Sequence, residues 1–179
     1  CYATSGQTWR FFEIDPVVVR IANSRNFTLL SNCQPDADVV LGDARLTFAK
    51  EGDASYDLVI VDAFSSDAIP VHMMTAEALA IYASKLKEEG VAVLHTSNRY
   101  LDLEQVVSAT LPTLDVKLYP LVIEDYEDDG YVKTGSTVIL IGKDRAAIDR
   151  FRSIEGARDI HVGTVRPWTD DFSDILGPF

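Results

Sequence analysis

Tyr56-Asp57-Leu58-Val59-Ile60-Val61-Asp62 runs directly into Ala63-Phe64-Ser65-Ser66-Asp67-Ala68-Ile69-Pro70, and the change of character at Asp62 decides how the rest of the chain is read. The unbroken apolar run Leu58 to Val61 predicts a strand buried on both faces, as in a parallel sheet. It ends in two carboxylates, two hydroxyls and a proline, the composition of a loop that carries chemistry. An acid leaving an apolar strand starts partly desolvated and is stabilised by a nearby cation. Asp62 and Asp67, with Ser65 and Ser66 beside them, can therefore hold an ammonium group, and one carboxylate can take its proton during attack. The competing reading has Asp62 capping a turn and Asp67 merely exposed.

On the N-terminal side, Trp9 to Ile14 reads as a strand entering a helix, with Asp15 as N-cap and Pro16 as first helical residue. Val17, Val18, Ile21 and Ala22 mark that helix. Val39 to Leu41 is a second strand, closed by Gly42-Asp43, and a short helix follows. On the C-terminal side, Thr75 to Glu89 has helical spacing with Gly90 as its stop, and Val91 to His95 is another buried strand. Leu101 to Leu111 is helical. Val116 to Ile123 and Ser136 to Ile141 are strands flanking the acidic loop Glu124 to Gly130, and Arg145 to Phe151 is a short helix. The tail from Arg152 is irregular apart from a turn at Asp171 to Leu176.

Strands alternating with helices imply an α/β fold: a mostly parallel sheet with helices on both faces and an antiparallel terminal strand pair. Ligands in such sheets bind beyond the carboxyl ends of the strands. The residues in those positions are Glu13, Asp43, Asp62 and Ser97-Asn98.

The chain has 179 residues, 47% of them hydrophobic, which suffices for one core in a single domain over residues 1–179. A formal charge of −12 opposes nucleic-acid binding and is compatible with a small cationic ligand, although a solvated acidic surface accounts for most of it. Cys1 and Cys33 make no disulfide framework and suit a reducing, cytoplasmic setting. No apolar run reaches the ~20 residues that span a bilayer. A chain beginning at Cys1 is expected to be an N-terminally truncated piece of something longer.

Among the other candidates, Glu13 closes a strand where an acid can accept two hydrogen bonds from a ribose diol; the alternative is a surface acid. Asp43, after the permissive Gly42, can accept an adenine amino proton while the Ala44 amide donates to a ring nitrogen, or it can simply cap a helix. His72, His95 and His161 are too scattered to imply a metal site, and His95 within a strand reads as a satisfied core residue. Tyr126, in the acidic loop, can cover a ligand if that loop folds inward.

Together, Phe12-Glu13-Ile14-Asp15-Pro16, Gly42-Asp43-Ala44-Arg45, Tyr56 to Asp62 with Ser65-Ser66-Asp67, and Val91 to Asn98 resemble the spermidine synthase family. The likeness runs from Cys1 to about Lys143 and is strongest to bacterial spermidine synthase-like proteins, some of which are fused to a membrane domain. The resemblance implies a Rossmann-like, methyltransferase-type domain. It would transfer an aminopropyl group from decarboxylated S-adenosylmethionine, a co-substrate rather than a tightly bound cofactor, to putrescine or a related amine. It implies Glu13 and Ile14 at the ribose, Asp43 and Ala44 at the adenine, and Asp62 as the catalytic residue. Ser65, Ser66, Asp67 and Tyr126 would complete the amine side.

The family's first strand and glycine-rich turn, which precede the helix to which Cys1-Tyr2-Ala3 would belong, are absent. Without them the sheet is expected to divide between the strands ending at Glu13 and Asp62, with exposed edges favouring a homodimer. The Ala63-Phe64 insertion before the serines departs from the family's acid-Ser-Ser-acid run. Two alternatives remain open from the residues: an S-adenosylmethionine-dependent methyltransferase, and a non-catalytic polyamine-binding, nucleoside-binding or assembly domain.

Overall fold

The computed structural model describes residues 3–24, 26–63, 70–98, 101–128, 133–175 and 177, with the side chains of 126–128 and 133–134 left aside. The chain divides into two compact units, Cys1–Glu51 and Gly52–Phe179. Among the described residues, the strands form a parallel pair in the first unit and a five-stranded sheet in the second.

The first unit contains β1 (Arg10–Glu13), α1 (Pro16–Ala22), α2 (Leu29–Cys33), β2 (Asp38–Leu41) and α3 (Ala44–Phe48). β1 and β2 run parallel with Arg10 opposite Asp38 and Glu13 opposite Leu41. Arg10 reinforces this register by bridging Asp38 at 2.9 Å and Glu51 at 2.6 Å. Asp15 caps α1 as expected, accepting from the Val17 amide at 2.7 Å, with Pro16 at the first helical position. The apolar stripe of α1 does not become core: Val17, Val18 and Ile21 all stay exposed. Two short strands offer too small a face to cover a helix. Cys33 is disulfide-bonded, where a reduced thiol was expected.

The second unit contains β3 (Tyr56–Val61), α4 (Ala76–Lys85), β4 (Leu86–His95), α5 (Leu103–Thr110), β5 (Tyr119–Asp128), β6 (Lys133–Gly142), α6 (Arg145–Asp149) and β7 (Ala157–Arg158). The strand order is β3-β4-β6-β5-β7. β3 and β4 are parallel, whereas β4–β6, β5–β6 and β5–β7 are antiparallel. The antiparallel portion therefore exceeds the expected terminal pair. The core joins Val91, Leu121, Leu140 and Ile148, and α4 and α5 bury Leu79, Tyr82, Leu103, Val106 and Val107.

Three expectations are corrected. β3 is buried on one face only: Val59 and Val61 are buried while Leu58 and Ile60, which alternate onto the opposite face, are exposed; burial on both faces requires a layer packed against each of them. The expected Thr75–Glu89 helix stops at Lys85, and Leu86 already pairs with Tyr56. The register then shifts so that Leu58 faces Val91, and Gly90 sits against the β3 backbone, where an added Cβ would lie 2.7 Å from the Tyr56 carbonyl oxygen. Finally, Glu124 to Asp128 is strand rather than loop, because the β5–β6 ladder continues from Val122–Ile139 through Glu124–Thr137 to Asp128–Lys133.

The tail is irregular but structural. Trp168 is fully buried, its carbonyl accepts from the Ala76 amide at 2.9 Å, and Asp170 accepts from the Thr75 hydroxyl at 2.9 Å. These contacts pin the start of α4. Upstream, Gly156 (φ +79°) lies so close to β5 that a Cβ would stand 1.9 Å from the Glu124 carbonyl oxygen. Gly156→Ala combines a left-handed backbone with that overlap, so it should lower unfolding free energy by at least about 2 kcal/mol in urea melts. An unchanged midpoint would contradict this packing.

Candidate functional site

In the second unit, Val61 lies opposite Leu94 in the parallel β3–β4 register. The next residues, Asp62 and His95, therefore emerge side by side at the carboxyl ends of neighbouring strands. Asp62 Oδ1 and His95 Nδ1 are 2.7 Å apart, and His95 Nε2 is 2.8 Å from Ser97 Oγ. Ser97 Oγ also accepts from the Thr137 amide at 2.7 Å, tying the row to β6. Asp62 is not enclosed as its apolar strand suggested: its side chain, just past the end of β3, is 62% exposed, against 30% for His95.

His95 was read from sequence as a core residue and is instead the partner of Asp62. The available signal was positional: both residues end predicted strands. Ser65, Ser66 and Asp67 lie outside the described residues, as does the side chain of Tyr126.

A cleft of about 320 Å³ opens beside Ser97 and is lined also by Thr96, Asn98, Glu104, Glu124 and Arg158. Its wall is an ion-pair network joining α5, β5 and β7. Arg158 donates to both carboxylate oxygens of Glu104, at 2.7 and 2.6 Å, and also pairs with Glu124. The His161 amide donates to Glu104 at 2.6 Å. Burial alone would push the Glu104 carboxyl up, but the Arg158 hydrogen bonds, the His161 amide and the nearby positive charge together hold it below the ordinary glutamate range. The two carboxylates in turn raise Arg158 above its ordinary value.

In the first unit, Glu13 and Asp43 stand at the carboxyl end of the β1–β2 pair. The Gly42 amide donates to the Glu13 carbonyl at 3.0 Å, and Gly42 holds φ +138°, a conformation that favours glycine. Glu13 Oε1 accepts from the Asp15 amide at 2.8 Å. Asp43 accepts from the Leu46 amide at 2.9 Å and so caps α3, the simpler of its two sequence readings. A carboxylate has about four acceptor positions, so neither bond exhausts its side chain. Ile14 is exposed and Ala44 half-buried.

No family model matches the chain. A polyamine aminopropyltransferase of Vibrio vulnificus is 37% identical over 86 residues, which is 47% of this chain and 28% of that protein. A probable spermidine synthase from Corynebacterium glutamicum superposes with a TM-score of 0.64 at 17% identity, covering 94% of this chain and 66% of the other. The chain is therefore similar in part of its sequence to an aminopropyltransferase and in fold to a spermidine synthase. A spermidine synthase from Thermotoga maritima gives a TM-score of 0.59 at 16% identity, covering 92% of this chain and 54% of that one. At these identities the structural likeness establishes a shared α/β fold, and the chain spans under two thirds of the length of each of these relatives.

The Glu104–Arg158 pair yields a stability prediction. Because the folded-state Glu104 is held low, its stabilising contribution is complete above the ordinary glutamate value and is lost as pH falls through the lowered one. Arg158→Met leaves Glu104 buried without its counter-charge and should cost roughly 2–4 kcal/mol at neutral pH, less than breaking a fully buried pair since Arg158 is partly exposed. Denaturant melts across pH should show that penalty shrinking in acid. A penalty independent of pH would contradict the assignment.

Proposed function

We propose that this chain carries out aminopropyl transfer from decarboxylated S-adenosylmethionine to putrescine or a related small amine. The observation that carries this reading is Asp62: an exposed carboxylate held by His95 at the carboxyl end of a parallel strand pair, within a sequence similar to an aminopropyltransferase. The net charge of −12 suits a cationic acceptor.

With a free pKa of ~10.4, an alkylammonium is protonated at neutral pH and has no lone pair with which to attack. In this reading Asp62 accepts the ammonium proton, and the freed nitrogen lone pair attacks the propyl carbon bonded to the sulfonium. The carbon–sulfur bond breaks with its electrons passing to sulfur, and methylthioadenosine leaves as a neutral thioether. Asp62 then returns the proton to water. Much of the remaining help comes from alignment of the two reactants.

Glu13, with Ile14 beside it, would take the ribose hydroxyls, and Asp43 with the Ala44 amide would take the adenine edge. Ser65, Ser66, Asp67 and Tyr126 would hold the rest of the amine. Calorimetry on the full-length protein tests the donor side. Methylthioadenosine and decarboxylated S-adenosylmethionine should bind more tightly than S-adenosylhomocysteine, and Glu13→Ala should weaken them about 10-fold or more. Preference for S-adenosylhomocysteine would assign a methyltransferase, and no adenosyl binding would overturn the proposal.

A further inference from the structure

We infer that a directional hydrogen-bond chain, Thr137 amide to Ser97 to His95 to Asp62, fixes the His95 imidazole as its Nδ1–H tautomer and makes His95 the positioning residue for Asp62. A backbone N–H can only donate, so at 2.7 Å from the Thr137 amide Ser97 Oγ is an acceptor. Ser97 has one hydroxyl proton and, among the described residues, two places to send it: His95 Nε2 at 2.8 Å or the Thr137 carbonyl at 3.4 Å.

The carbonyl is the poorer choice. It lies at the far edge of hydrogen-bonding range, and it already accepts from the Thr96 amide at 2.9 Å and the Thr96 hydroxyl at 3.2 Å. The hydroxyl proton therefore goes to Nε2, which must then be the unprotonated ring nitrogen. A neutral imidazole carries its single proton on the other nitrogen, and that Nδ1–H donates to Asp62 Oδ1 at 2.7 Å.

The consequence at Asp62 is geometric. Its strand ends at Val61 and its carboxylate is exposed, so a donor on one oxygen restrains its rotation and directs the remaining acceptor capacity outward. His95 neither touches substrate nor moves a proton here; it holds the group that does. Backbone pairing supplies the fixed end, because Thr96 and Thr137 join β4 to β6.

This inference rests on Asp62 being the proton acceptor proposed above, and the test separates the two. Nitrogen-15 correlation spectra of the substrate-free full-length protein should show His95 protonated at Nδ1, with the second tautomer appearing in Ser97→Ala. In transfer assays, His95→Leu should lower kcat roughly 10- to 100-fold with little change in KM. His95→Asn, whose amide nitrogen stands near the Nδ1 position, should recover most of that loss. Equal melting temperatures of the two variants would separate positioning from folding. An Nε2–H ring in the wild type overturns the hydrogen-bond chain, and equal activity of His95→Leu and wild type overturns the positioning role. If the wild type transfers nothing, the aminopropyl reading fails, while the nitrogen signals still decide the hydrogen-bond chain.

Discussion

β4 is paired on both edges, and most of the second unit follows from that constraint. Its parallel ladder with β3 brings Asp62 alongside His95, while its antiparallel ladder with β6 sets His95 opposite Val138. One strand thereby supplies the candidate base with a neighbour and supplies that neighbour with a backbone anchor at Thr137. Side chains at the ends of such ladders inherit the precision of the main chain, which is how a largely exposed carboxylate keeps a defined orientation.

The parts of this arrangement legible in the sequence are those set by local chemistry. Asp15-Pro16 announced the start of α1 because capping and proline stereochemistry act within a few residues, and Gly42 marked a turn that glycine favours. The unbroken apolar run of β3 gives no sign that one of its faces is uncovered, because a run cannot reveal whether a layer packs against each face. His95 was misread for a related reason. Strand alternation says which face a residue occupies, but its neighbour belongs to another strand, here 33 residues away. The Glu104–Arg158 pair, 54 residues apart, and the Thr75–Asp170 bond, 95 apart, were invisible for the same reason.

The two units differ in how they use their apolar residues. The second encloses Trp168, Tyr82, Leu79 and Leu121 within a five-stranded sheet and its helices. The first, built on two strands, leaves Ile14, Val17, Val18, Ile21 and Leu46 exposed. Charge is managed differently as well. Arg158 neutralises buried Glu104 within the second unit, whereas among the described residues the Asp62 carboxylate is held by a histidine ring and that of Glu13 by a backbone amide. Groups fully consumed by internal pairing stabilise a fold, and groups only partly consumed retain capacity for a ligand.

The most direct test of the account follows an isotopically labelled aminopropyl group from decarboxylated S-adenosylmethionine in the presence of the full-length protein and putrescine. The account predicts label on the amine nitrogen, release of methylthioadenosine, and loss of both when Asp62 is replaced by asparagine. Label that stays on the donor, or an Asp62→Asn variant that transfers it as fast as the wild type, would contradict it.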